Sequence, residues 1–277
     1  MDSLLYFCGM TRQQLIDTIR KKKSFLCVGL DSDIHRIPRQ LLDDPDPLFT
    51  FNRAIIDATR DYCVSYKINT AFYEALGAKG WEAMEKTVRY IGEDFFRIAD
   101  AKRGDIGNTA DQYARAFFET LPFDAVTVAP YMGEDSVKPF MQQEGKWAIV
   151  LGLTSNKGAN DFELQPAGDG LLYEKVITTV SRWGTTENTM FVVGATQAEA
   201  FTNIRRLAPD HFYLVPGVGA QGGSLKEIAE KAMIDDIGLL VNVSRAIIYA
   251  PNDHQFESHA REAAKKYQEE MAQYLPK

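Results

Sequence analysis

Ionisable side chains seldom sit inside apolar strands unless they are paired or do chemistry. This chain places four of them at the ends of such runs. Asp31 ends the first apolar run, Lys67 lies within the second, and Asp100 and Lys102 end the third, with Asp105 just beyond. Side chains at i and i+2 of a strand share a face, so Asp100 and Lys102 are expected to point the same way. Any one of these groups alone would fit a structural buried salt bridge. Four at consecutive strand ends point instead to a preorganised array of alternating charge. A lysine held between carboxylates keeps its proton, and each carboxylate keeps its charge. Such an array can stabilise charge that develops on a substrate and can deliver a proton to it.

A second pattern suits an anion. Gly217-x-Gly219-x-x-Gly222-Gly223 lets the main chain come close to a ligand, and it runs into Ser224-Leu-Lys-Glu227, a capping-box pattern that marks a helix start. Free N–H groups at a helix start bind anions, although a glycine-rich run can also be an ordinary tight turn. It is not a dinucleotide fingerprint. It comes late, and Ile237-Gly238-Leu239 stands where the acidic residue should be. His35, His211, His254 and His259 are scattered and read as surface or loop histidines, so neither a metal nor a cofactor is expected.

The elements that must position these groups alternate. Near-continuous apolar runs at 25–30, 64–69, 95–101, 125–129, 147–153, 190–194, 212–218 and 239–243 read as strands buried on both faces. Helical spacing follows at 48–62, 81–91, 108–121, 134–143, 171–183, 197–207 and 224–232, with a charged helix at 256–275. An extra helix over 11–22 opens on Thr11 as N-cap. Eight strand–helix pairs predict an α/β protein, a (β/α)8 TIM barrel with an extra N-terminal helix, in one domain over 1–277; a doubly wound open sheet is the alternative. Long loops at 32–47 and 155–170 then both lie on the catalytic face, and Gln221 and Arg245 fall in the loops after strands 7 and 8, where barrels often hold phosphate.

The motif Asp100-x-Lys102-x-x-Asp105 resembles the signature of the orotidine 5′-phosphate decarboxylase family. Val28-Gly-Leu-Asp31, the run from Ser65 through Lys67 to Tyr73, the glycine run from Pro216 to Gly223, and Val241-Asn-Val-Ser-Arg245 resemble further blocks, in the family's order, over about residues 25–250. The loop lengths suggest the longer of its two size classes. The resemblance implies a lyase that turns orotidine 5′-monophosphate into UMP and CO2, the last step of de novo UMP synthesis. Decarboxylation at C6 leaves charge on a carbon with no adjacent sink, which most decarboxylases solve with a cofactor; none is implied here. Lys102 would donate the proton to C6, Asp100 would face the substrate carboxylate, and Lys67 and Asp31 would hold the array and the ribose hydroxyls. Asp105, with Thr109, would reach into a partner's site, which makes a homodimer with shared sites. Ser155, beside Thr154, would read the base, and Gln221 and Arg245 would hold the phosphate. Ser244 stands where many relatives carry Gly, and either adds a hydroxyl contact or changes the backbone. Rivals are a Mg2+-dependent hexulose-phosphate synthase or pentulose-phosphate decarboxylase of the same barrel type, and a non-catalytic phosphate-binding barrel. A binder has no need for a buried carboxylate facing an anion.

Composition removes other classes. The 277 residues carry 31 − 38 = −7 charges, without the basic excess of a nucleic-acid binder. The basic run at 20–23 reads as the close of a solvated helix. Cys8, Cys27 and Cys63 form no metal motif and argue for a reducing compartment. No apolar run approaches a membrane span, and the first ten residues do not read as a signal peptide, so a cytoplasmic protein is expected.

Overall fold

Strands covered on both faces have no solvent side, which is why the apolar runs show no alternation. In the computed structural model, which describes residues 9–219, 222–251 and 254–276, those runs become β1 (Leu26–Leu30), β2 (Ser65–Asn69), β3 (Phe96–Arg103), β4 (Ala125–Val128), β5 (Trp147–Leu153), β8 (Thr189–Val193), β9 (Phe212–Pro216) and β10 (Leu239–Val243). All pair in parallel and close as β1-β10-β9-β8-β5-β4-β3-β2, a barrel rather than an open sheet. Two short strands, β6 (Pro166–Ala167) and β7 (Gly170–Leu171), make an antiparallel hairpin in the loop after β5.

The helices are α1 (Arg12–Lys22), α2 (Pro47–Thr59), α3 (Ala71–Glu74), α4 (Ala78–Ile91), α5 (Gly107–Arg115), α6 (Glu134–Val137), α7 (Leu172–Val180), α8 (Ala198–Leu207), α9 (Leu225–Ala232), α10 (Arg245–Ile248) and α11 (Phe256–Met271). The short α3 and α10 are additional to the sequence pattern, and two expected helices depart from it. The helix expected to reach 121 widens into a π turn over Ala116–Thr120, where the consecutive Phe117 and Phe118 are both buried. The helix expected over 134–143 is one α turn and then a 3-10 turn over Lys138–Phe140, because Pro139 supplies no N–H and disfavours helix at the residue before it.

At the N-terminal end of the strands α1 serves as a floor. Thr11 and Gln14 form a reciprocal capping box, and Leu15, Ile16 and Ile19 are buried. The Trp147 indole N–H donates to Met10 O at 2.9 Å, tying the start of β5 to this helix. The basic run does close α1, with Arg20, Lys21 and Lys23 exposed, while Lys22 is half-buried: its Nζ donates to Arg60 O and Cys63 O at 2.8 and 2.9 Å. Asp124, before β4, takes three 2.9 Å bonds from the backbone and guanidinium of Arg97 in β3. His211 lies in the loop before β9, as expected of the histidines, but it is not at the surface. It is buried against Phe191, and neither ring nitrogen has a hydrogen-bond partner among the described residues. Among those residues, no helix is long and apolar enough to cross a membrane.

Candidate active site

The opposite, C-terminal end of the strands carries the charges. Gly29, Lys67 and Ile98 stand level in the barrel, and Asn69 and Asp100 stand two residues higher. Lys67 therefore reaches upward between carboxylates. Its Nζ lies 2.7 Å from Asp100 Oδ2 and 3.4 Å from Asp31 Oδ1. The other oxygen of Asp100, Oδ1, takes Lys102 Nζ at 2.6 Å and the Thr127 hydroxyl at 3.1 Å. One carboxylate is thus gripped at both oxygens by two lysines, and Asp31, Lys67, Asp100 and Lys102 converge as the sequence suggested. Their exposures differ sharply: 4% for the Lys67 side chain, 11% for Asp100, 21% for Asp31 and 52% for Lys102. Lys102 is the cation that meets the open mouth.

Burial alone would discharge these groups, yet their neighbours prevent it. Desolvation pulls the Lys67 pKa down, but the Asp100 and Asp31 charges outweigh it and hold the ammonium above the ordinary lysine value. Burial likewise pushes Asp100 up, and Lys67 and Lys102 together hold its carboxyl well below the usual carboxylate range.

Lys102 owes its position to a break in the ladder. From Ala99↔Val126 to Arg103↔Val128, β3 advances from 99 to 103 while β4 advances from 126 to 128, leaving two residues extra. Within this bulge Lys102 takes a left-handed backbone, φ 47°. That conformation costs a residue with a Cβ about 1–2 kcal/mol, and such strain gathers at functional sites. Arg103 clamps the far shoulder. Its guanidinium donates to Ala101 O at 3.0 Å, pairs with Glu74 of α3, and lies over the Tyr113 and Phe117 rings.

Asp31 is held from beneath by groups that the sequence did not single out. Tyr249, just after α10, donates from its hydroxyl to Asp31 O at 3.3 Å and accepts from Asp33 N at 2.6 Å. Tyr73 donates to Leu30 O at 3.2 Å, and Asn52 of α2 donates to the Tyr73 oxygen at 2.9 Å. The Ser32 hydroxyl completes this buried relay on Asn52 Oδ1 at 2.6 Å.

On the far side of the mouth, Gly217, Gly219 and Gly222 all take positive φ. A Cβ on Gly219 would also stand 2.5 Å from the Tyr267 hydroxyl of α11. Gly223 N donates to Gly217 O at 3.3 Å and closes the loop. Ser224 then caps α9 by accepting from Glu227 N at 3.2 Å. Gln221 lies outside the described residues. Ser244 follows β10, with its hydroxyl buried and without a partner among the described residues. Arg245 opens α10, exposed and without an ion pair among the described residues. Thr154 is occupied: its N–H and hydroxyl meet the two Glu163 oxygens at 2.6 and 2.8 Å. Ser155, next to it, packs against Gly194, where a Cβ would come within 2.7 Å.

Asp105 and Thr109 stand apart from the array. Asp105 Oδ1 accepts from Ile106 N at 2.8 Å and makes no ion pair among the described residues, and Thr109 is exposed on the first turn of α5. Among the described residues no three His, Cys, Asp or Glu side chains converge as a metal site.

Comparison with known proteins places this geometry. Residues 24–260 match the model of the Orotidine 5′-phosphate decarboxylase / HUMPS family. The chain is 59% identical over 270 residues to the orotidine 5′-phosphate decarboxylase of Bacteroides fragilis, covering 96% of this chain and 98% of that protein. Among solved structures it resembles the Leishmania donovani OMP decarboxylase, with TM-score 0.83 and 37% identity, covering 96% of this chain and 98% of that one. It also resembles the UMP synthase of the same organism, with TM-score 0.84 and 39% identity over 95% of this chain and 56% of that longer one.

Proposed function

The chain belongs to the orotidine 5′-phosphate decarboxylase family, and we propose that it works through the Asp31–Lys67–Asp100–Lys102 array with no cofactor. The enzyme is a carboxy-lyase: it converts orotidine 5′-monophosphate to UMP and CO2, the last step of de novo UMP synthesis. The observation that carries the mechanism is the Asp100 carboxylate gripped by Lys67 from below and Lys102 from the mouth.

In this reading the C6–carboxylate bond breaks with its electron pair left on C6, and CO2 departs neutral. Lys102 stabilises the pair and transfers an Nζ proton to C6; solvent restores that proton. Asp100 faces the substrate carboxylate, and their repulsion is relieved as CO2 forms. Lys67 is too buried and too well paired to be the donor; it keeps Asp100 ionised and, with Asp31, holds the ribose hydroxyls. The glycine loop with Gln221, Ser244 and Arg245 takes the phosphate, and Ser155 reads the base while Thr154 is held by Glu163.

We read the chain as one domain over 1–277, acting as a homodimer in the cytoplasm. Asp105 and Thr109 point to the dimer, since neither serves the array of its own chain. Exposed Ile106, Tyr131 and Met132 on the loops after β3 and β4 supply an apolar surface beside Asp105. Cys27 and Cys63 are free buried thiols, which suits a reducing compartment. The test is to add orotidine 5′-monophosphate to purified, EDTA-treated protein and follow the pyrimidine absorbance. Turnover is expected without added metal. No turnover, or turnover only with Mg2+, would overturn the cofactor-free mechanism.

A further inference from the structure

The Lys102 amide has lost its place in the β3–β4 ladder, because the bulge inserts two residues at that point. It donates instead to the side chain of Thr127, at 2.9 Å. The same hydroxyl donates its single proton to Asp100 Oδ1 at 3.1 Å. One fully buried oxygen therefore joins the backbone of the lysine to the carboxylate that the lysine's own ammonium touches. With an accepted bond on one side and a donated bond on the other, that hydroxyl has one orientation.

We propose that Thr127 is a positioning residue for decarboxylation: its hydroxyl fixes the left-handed Lys102 backbone and the Asp100 carboxylate as one rigid unit. The proposal rests on the reading in which Lys102 protonates C6. Arg103 secures the far shoulder of the bulge through Ala101 O and Glu74. Thr127 secures its centre from the neighbouring strand. Valine has nearly the same shape, so Thr127→Val deletes the two bonds and little volume. The Lys102 N–H is then left without its acceptor, Asp100 can rotate, and the Lys102 ammonium moves off the line to C6. The phosphate and base contacts lie on other strands and stay in place.

The experiment measures kcat and KM for Thr127→Val and Thr127→Ser, with UMP affinity by calorimetry, thermal melting of each variant, and Lys102→Ala in parallel. For Thr127→Val, kcat should fall roughly 100-fold while KM and UMP affinity stay within about threefold, since a displacement of order 1 Å at the reacting groups costs about that much. Thr127→Ser restores the hydroxyl and should return kcat to within about fivefold of wild type. A Thr127→Val enzyme within about threefold of the wild-type kcat, a serine variant no better than valine, or UMP affinity falling in step with kcat would overturn the proposal. Should the valine variant fail to fold, Thr127→Ala takes its place against serine under the same criteria. Lys102→Ala separates the two levels: if it stays active, the catalytic reading fails, whereas an inactive Lys102→Ala beside a fully active Thr127→Val removes only the role of Thr127.

Discussion

Lys102 Nζ meets Asp100 Oδ1 at 2.6 Å through a main-chain bulge, not through the regular alternation of a flat strand. The contact is made by a left-handed lysine, and that lysine is the most exposed member of the array. Strain, placement and access thus coincide at one residue.

Removing that residue gives the first prediction. Lys102→Ala should melt near the wild type, because the side chain is half in solvent, yet lose several orders of magnitude in kcat/KM as proton transfer and charge stabilisation vanish together. Steady-state assays with orotidine 5′-monophosphate check this. A variant within tenfold of wild type would remove the assigned role.

Arg245 should act on the remote end of the substrate. Arg245→Ala should lose far more kcat/KM toward the nucleotide than toward the bare nucleoside, since binding energy from a non-reacting group supports the chemical step. Competition assays with both substrates measure the ratio. Unchanged discrimination would place the phosphate elsewhere.

Asp105 is the test of shared sites. Asp105→Asn and Lys102→Ala homodimers should each be nearly inactive. After subunit exchange, about half the dimers are mixed, and each mixed dimer has one intact site, so about a quarter of wild-type activity should return. Demonstrated exchange without recovery would mean that Asp105 serves its own barrel.

His211 predicts acid sensitivity far from the site. Burial, with Arg205 and Arg12 nearby and only Asp210 opposing, lowers its pKa from 6.5 to about 4. The unfolded chain therefore takes a proton below about pH 6.5 that the native state refuses until about pH 4, and stability falls as pH falls through that window. In urea titrations at pH 7 and 4.5, His211→Phe should lose about 2–3 kcal/mol less stability on acidification than wild type. Equal losses would show that the imidazole is not held neutral.

The Arg97–Asp124 pair should separate folding from chemistry. Asp124→Ala leaves a buried guanidinium unpaired, which typically costs about 3–5 kcal/mol. Chemical denaturation reads that loss, while kcat of the folded fraction should stay within about twofold of wild type by distance from the mouth. A large drop in kcat at full folding would tie the barrel floor to catalysis.

The barrel was legible because eight apolar runs spaced by helical patterns leave few alternatives, and Asp31, Lys67, Asp100 and Lys102 stood out because charge inside such runs is costly. Thr127 did not stand out, since threonine is an ordinary strand residue, although a hydroxyl within Ala125–Val128 was a usable signal. The bulge could not be read, because register is a property of two strands and only one carries the extra residues. Tyr249, Tyr73 and Asn52 reach Asp31 and its neighbours from distant helical segments with nothing local to mark them. His211 does lie in a loop, but its burial could not be read, because the Phe191 ring packed against it comes from another strand.

The inward register of Lys67 has a consequence for how the barrel closes. Slipping β2 by a single residue against β1 and β3 would turn Lys67 out into the helix layer and carry Tyr66 into the barrel. Asp31 and Asp100 would then face each other without the ammonium that separates them, and a desolvated cation would lie among apolar side chains. Three charges contributed by three neighbouring strands thus act as an error check on assembly, so that a barrel closed out of register is penalised before any substrate arrives.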